Sequence, residues 1–332
     1  MISRRNLAFS LALLVGLAVV ASTPQLAGSR VAAAVSQLGS ASPGWLWTAA
    51  AAFVASALCA ACSWRAALGA CGASLAFGDA AARYGAGCLV NSLAPARLGD
   101  AFRIGLFSKA LPNPERLWTT GGIWAAVGAA RCVGVGVVVV AAVAIGALPL
   151  WPVFALAGAV ALLLAVAAAT RRRVARGRFA HLLDAVRALE DRPAAAARVC
   201  GWALAQTAAR AVAAAAAAAA LGAHDPLTAA LVIVAALEVS GLMPLTPGNL
   251  GVTSGAIAVA LEAHGIDLTT ALSIGIAFHA VETVVGVSCG LAGGLFLVGY
   301  PSPVARRYVL AGAGTAAFVG AAFFGLVSFN VV

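Results

Sequence analysis

The sequence predicts an all-α polytopic membrane protein, with about seven spanning helices and two re-entrant helical hairpins forming an inverted repeat. Three observations predict it. The 332 residues are 63% apolar and only 10% charged, too little charge to clothe a soluble domain of this length. Apolar runs of about 18 residues or more recur along the chain, the length a helix needs to cross a bilayer. One pattern, L-x-P-x-x-L-G, occurs twice inside apolar regions, at Leu93, Pro95, Leu98 and Gly99 and again at Leu245, Pro247, Leu250 and Gly251.

In chain order the spans are read at 7–23, 46–64, 117–147, 152–169, 199–221, 268–298 and 308–328. The first has a basic start at Arg4 and Arg5 and ends near Thr23 and Pro24. It is read as an uncleaved span rather than a removed signal, because the charge pattern needs it. The net charge of +10 is nearly all arginine, with Lys109 the single lysine. These residues sit between apolar spans, so they point to cytoplasmic loops and anionic headgroups rather than to nucleic acid. The long polar stretch, 170–198, carries Arg171, Arg172, Arg173, Arg176, Arg178, Arg187, Arg192 and Arg198. It is read as a cytoplasmic loop. Leu182, Leu183, Val186 and Leu189 fall at helical spacing within it, which predicts an amphipathic helix.

With basic loops inside, the N-terminus is cytoplasmic, and regions 73–111 and 227–264 must each leave the membrane on the side they came from. The chain is thus expected to be one integral-membrane domain, 1–332. A first half, 1–169, holds hairpin 73–111, and a second half, 199–332, holds hairpin 227–264. The hairpins dip in from opposite faces, a plan that recurs in transporters, with the working site near the midplane.

Proline ends a helix and glycine accepts angles other residues refuse, so Pro95, Gly99, Pro244, Pro247, Gly248 and Gly251 are the expected hairpin tips. A broken backbone is tolerated at membrane depth only against protein or a polar cavity. The helix starts after the tips would aim N–H groups into that cavity, a setting that suits anions. Asn91, Arg97, Asp100 and Arg103 at the first tip, and Asn249 and Thr253 at the second, are the candidate headgroup ligands. Plainer roles stand beside these: helix capping for Asp100 and snorkelling to the surface for Arg103.

Arg131, Arg210, Glu238, His279 and Glu282 lie deep in apolar sequence. Ionisable groups there are costly and face partners or a cavity. Arg210 and Glu238 fall at similar depth on consecutive spans, so these two are expected to pair. The alanine run Ala213–Ala220 is read as close helix packing. Cys59 and Cys62 form a C-x-x-C inside an apolar helix, with no neighbouring ligands, and are read as packing residues. No catalytic residue, metal or cofactor is expected. The partners are membrane lipids with an anionic headgroup, and the sequence leaves a homo-oligomer open.

These motifs resemble a known family. Asn91, Pro95, Gly99, Asp100 and Arg103 match N-x-x-x-P-x-x-x-G-[ED]-x-x-R, with Asp where Glu is common, and Pro244, Pro247, Gly248 and Gly251 match P-x-x-P-G-x-x-G-x-x-[ES]. Trp64 and Arg65 match a frequent pair at the end of the second span. The pattern resembles the transmembrane region of lysylphosphatidylglycerol synthases, the flippase-like domain. No room is expected for the aminoacyl-transferase domain that multiple peptide resistance factors carry, so lysine transfer to lipid is not implied. The family often has E-R-x-x-D on the span after the first motif. Here Ala130 and Gly134 replace both acids around Arg131, and Glu282 sits at the same repeat offset as Ala130. The resemblance implies binding and translocation of a phosphate-bearing phospho- or glycolipid. The alternative is an intramembrane enzyme or accessory factor acting on a polyprenyl phosphate or phospholipid, with Asp100, Glu238 and Glu282 as candidate acids.

Overall fold

The structure is a computed structural model that describes residues 29–93, 98–112, 114–148, 150, 153–154, 157–158, 161, 178–240 and 252–299. Regular structure among them is helical only. In chain order the helices are α1 (Ser29–Gln37), α2 (Pro43–Ala70), α3 (Phe77–Leu93), α4 (Leu98–Ser108), α5 (Arg116–Ala144), α6 (Arg178–Glu190), α7 (Pro193–Ala220), α8 (Pro226–Ser240), α9 (Val252–Glu262) and α10 (Leu268–Val298).

Four of these, α2, α5, α7 and α10, are long and apolar enough to cross a membrane. They are the expected spans 46–64, 117–147, 199–221 and 268–298. Spans 7–23 and 308–328 lie outside the described residues, and 152–169 almost entirely so. α8 and α9 contain shorter apolar segments. On α5, Val133, Val137 and Val140 form an exposed apolar stripe, which suits a helix whose outer face meets lipid.

The ends of the long helices follow local rules. α2 and α7 both start with proline at the first position, where a missing N–H costs nothing. Both stop just before a glycine in the left-handed region, Gly72 (φ 88°) and Gly222 (φ 74°), a conformation a side chain would strain. α10 starts at Asp267, whose carboxylate accepts from the Thr269 and Thr270 N–H groups at 3.0 and 3.2 Å.

At the start of α8, exposed Asp225 accepts from the Thr228 hydroxyl (2.5 Å) and the Thr228 N–H (3.2 Å). The Thr228 hydroxyl, first, and the N–H bonds hold its carboxyl below the usual carboxylate range. With the folded pKa below the unfolded one, the cap stabilises fully above the unfolded pKa. That stability is lost as pH falls through the folded pKa. Thr228→Val should therefore raise the Asp225 pKa, which an NMR titration of the side-chain carboxyl reads directly.

α2 and α7 form the central antiparallel pair. Ser42 N–H reaches Ala220 O at 2.8 Å, Ser56 Oγ donates to Gln206 O at 3.3 Å, and Ser63 Oγ to Val199 O at 3.2 Å. Their close approach rests on small residues. Ala213, Ala214, Ala216, Ala217, Ala218 and Ala220 are all buried, since packing without bulk is what holds helices together in lipid.

Two apolar cores lie at opposite ends of this pair. One gathers Leu46 and Phe53 of α2, the alanine run of α7, and residues of α8, α9 and α10. The other gathers Trp64 and Leu68 of α2, Val199 and Ala203 of α7, and residues of α3 to α6. Trp64 stacks on Phe107 of α4, with ring centroids 4.6 Å apart.

α3 and α4 run antiparallel, as do their contacts: Gly99 lies against Gly87 and Asn91, and Arg103 reaches Tyr84 and Cys88. α3 also packs tightly on α10, where Ala82, Gly85 and Leu89 interlock with Cys289, Gly290 and Gly293. The amphipathic helix read in the basic stretch is α6. Its buried Ala185 and Leu189 join the second core, and its Leu182 backbone abuts Gly122 of α5. α1 was not expected. It lies along α10, with Gln37 Nε2 donating to Thr270 Oγ1 (3.1 Å) and Ser273 Oγ to Gln37 Oε1 (2.8 Å).

Candidate functional site

The described residues of the first motif lie at the end of α3 and the start of α4. Arg103 is 8% exposed. Its Nη1 donates to Asp100 Oδ1 at 2.6 Å, its Nη2 to Cys88 Sγ at 3.1 Å, and its Nε to Tyr84 O at 3.4 Å. The guanidinium also lies over the Tyr84 ring, 4.1 Å from its centre. Asn91 Nδ2 donates to the same Asp100 oxygen at 3.5 Å. A Cβ on Gly99 would overlap Asn91, and one on Gly87 would overlap Arg103. Four motif positions far apart in the pattern thus meet at one spot. Asp100 sits in the first turn of α4 and serves Arg103 there. Arg103 does not snorkel: it is tied inside the helix pair.

Among the described residues, four of the ionisable side chains deep in the helices form two ion pairs. Arg131 of α5 donates through Nη2 to both oxygens of Glu238 on α8, at 3.0 and 2.8 Å. Arg210 of α7 donates to Glu282 of α10 at 2.7 Å. This corrects the expected Arg210–Glu238 pair. Depth alone matched those two. Rotation about the axis of α7 carries Arg210 to α10, although Glu238 stays within electrostatic reach of it. Arg131 and Glu282 stand mid-way along their helices.

The pairs belong to one constellation. Tyr84 is within electrostatic reach of Arg103, Arg131 and Arg210. Arg131 and Arg210 feel one another. Arg103, Arg131 and Arg210 are matched by Asp100, Glu238 and Glu282. His279 is 6% exposed, and neither ring nitrogen has a hydrogen-bond partner among the described residues. Its Nδ1 stands 3.7 Å from Glu282 Oε2, beyond hydrogen-bond length. The Asn91 amide oxygen is likewise buried without a partner there. The side chains of Glu238 and Glu282 are 31% and 29% exposed.

The matching residues settle which family this is. The sequence model of the lysylphosphatidylglycerol synthase TM region matches residues 7–290. The chain belongs to that family. It is a multi-pass membrane protein of the flippase-like domain family, with a role tied to membrane lipids. A comparison with curated proteins finds no match.

Of the candidate residues, Asn91, Gly99, Asp100 and Arg103 come together, and Arg131, Arg210, Glu238, His279 and Glu282 gather near them. Thr253 is buried at the start of α9, beside Ser254, whose Oγ donates to Gly275 O at 3.2 Å. Pro95, Arg97, Pro244, Pro247, Gly248, Asn249 and Gly251 lie outside the described residues. Sequence reading passed over Tyr84 and Cys88. A signal existed: Tyr84, Gly87, Cys88 and Asn91 share one face of α3 at helical spacing. That face is the one Arg103 crosses.

Proposed function

We propose that the protein binds a phosphate-bearing lipid between the α3–α4 and α8–α9 pairs and carries it across the cytoplasmic membrane of the cell, its N-terminus in the cytoplasm. The observation that carries this is the Arg131–Glu238 pair. It joins α5, from the first half, to α8, from the second, so a cation–anion couple bridges the two halves.

The repeat reading has independent support. α2, α3, α4 and α5 have 28, 17, 11 and 29 residues, and α7, α8, α9 and α10 have 28, 15, 11 and 31. Helix neighbours repeat as well: α2 packs on α3 as α7 does on α8, and α3 on α10 as α8 on α5. Ser56 and Gln206, in contact on the central antiparallel pair, then lie on the pseudo-two-fold axis. The two cores at opposite ends fit hairpins that dip from opposite faces.

The constellation suits an anion-exchange step. A bare arginine in an apolar cavity is expensive, so a carboxylate holds each one while no lipid is bound. An arriving phosphate takes that carboxylate's place on the guanidinium, with the bidentate geometry arginine offers. Trading one anion for another costs far less than creating a new buried charge.

The test is reconstitution into vesicles holding a trace of fluorescent phosphatidylglycerol. Dithionite quenches the outer-leaflet dye. Wild type should expose inner-leaflet dye to quenching, and Arg131→Gln with Glu238→Gln should slow this at least about tenfold, the factor that ~1.4 kcal/mol of lost anchoring gives. Quenching by the wild type no faster than in protein-free vesicles would sink the proposal.

A further inference from the structure

Away from the constellation, the end of α2 and the start of α7 enclose a groove of about 700 Å³. Arg65, Arg192 and Arg198 line it, with Trp202, Ser74 and Leu75. Among the described residues no acidic one lines it, and none of the three arginines is ion-paired. Three exposed cations that face one cavity without a carboxylate repel each other and leave an unmet demand for an anion.

Each arginine is nevertheless held in place. Arg65 Nε donates to Leu75 O at 2.8 Å, Arg198 Nε to Ala194 O at 3.2 Å, and Arg192 Nη1 to Gly69 O at 3.3 Å. The first two bonds occupy the inner nitrogen and leave both terminal nitrogens of each guanidinium available. That is the fork that grips a phosphate through two oxygens. The anchoring on backbone carbonyls reduces the entropy lost when an anion is gripped.

The groove is also amphipathic along the helix axes. One turn further into α2 from Arg65 stands Cys62, and one turn further into α7 from Arg198 stands Trp202, 41% exposed. Both helices are long enough to span the membrane. Polar anchors at the helix ends and an aromatic ring one turn deeper are what a headgroup and the first part of its acyl chains meet at a bilayer interface. A bare phosphate would use the arginines but leave the deeper wall empty.

We propose that this groove binds the headgroup of an anionic phospholipid, gripped by Arg65, Arg192 and Arg198, with its chains running past Cys62 and Trp202. The site is separate from the interior constellation and stands whether or not the protein moves lipid.

The test is native mass spectrometry and competitive lipid retention, with the full chain in nanodiscs of phosphatidylglycerol and phosphatidylcholine. Wild type should retain phosphatidylglycerol preferentially. R65Q/R192Q/R198Q should lose that preference, by about tenfold or more, since each charge-assisted hydrogen bond lost is worth that order. R198Q alone should show a smaller loss. Among the described residues Arg198 bonds only within its own helix, so this variant is expected to fold even if the triple variant does not. Equal retention of the two lipids by wild type, or an unchanged preference in R198Q, would overturn the proposal. So would displacement of the lipid by millimolar inorganic phosphate, which would make the ligand a free anion.

Discussion

Glu238→Gln is expected to destabilise the folded protein by about 3 kcal/mol, because it strands Arg131 in the interior. The pair is bidentate at 2.8 and 3.0 Å, and an unpaired guanidinium at mid-helix has no other carboxylate as close among the described residues. The figure sits at the low end for a broken interior pair, because the two side chains are 39% and 31% exposed. Arg131→Gln should cost a similar amount, and the double variant less than the sum of the two. The same cycle on Arg210 and Glu282 should show comparable coupling. On Arg210 and Glu238 it should show less, since those two share only longer-range attraction. Denaturation of the purified protein in mixed micelles reads all three cycles. Strictly additive losses for Arg131 and Glu238 would show that no pair holds them.

Gly290→Leu should destabilise the helix packing strongly. α3 and α10 touch backbone to backbone: a Cβ on Gly290 would overlap Leu89 and come within 2.9 Å of the Gly85 carbonyl. Backbone cannot yield as a side chain can, so the helices must separate. Overpacking of this kind costs ~1–3 kcal/mol or more. Gly290→Ala should already show part of the loss. Gly294 stands four residues further along the same helix with nothing within 4 Å of its would-be Cβ. Gly294→Ala should therefore be neutral or stabilising by up to about 1 kcal/mol, since alanine suits a helix interior better. Equal effects at Gly290 and Gly294 would refute the tight α3–α10 contact. Thermal unfolding of the two variants decides it.

What the sequence discloses differs from element to element for physical reasons. α10 coincides with the apolar stretch 268–298, because an N-cap aspartate and a terminal glycine bracket one uninterrupted run. α2 runs from Pro43 to Ala70, longer than the apolar stretch 46–64. Helix geometry outlasts the apolar core when capping proline and glycine lie further out. α1 escapes hydropathy because Ser29–Gln37 is short and mixes alanine with serine, arginine and glutamine. Its docking to α10 by hydrogen bonds leaves no apolar signature.

Within the site, the depth of each charge was legible and its partner was not. Counting residues from a loop fixes position along a helix, yet each residue also turns the side chain by about 100°. That rotation put Arg210 on Glu282. The first motif reads in the sequence as an expected chain break at Pro95, which lies outside the described residues. Its other letters, Asn91, Asp100 and Arg103, read as candidate headgroup ligands, and the sequence did not disclose that they also bind one another. The spatial join exists only once α4 has folded back along α3.

The most direct measurement of the central claim is where a lipid headgroup sits during residence in the protein. A phosphatidylglycerol carrying a photoreactive diazirine on its headgroup, irradiated with the reconstituted wild type, labels whatever the phosphate end touches. Lipid binding between the helix pairs predicts adducts on the peptides that carry Tyr84, Arg131, Glu238 and Glu282, reduced in the Arg131→Gln, Glu238→Gln variant. Adducts confined to the outward stripe of Val133, Val137 and Val140 and to the helix ends, unchanged in that variant, would contradict it.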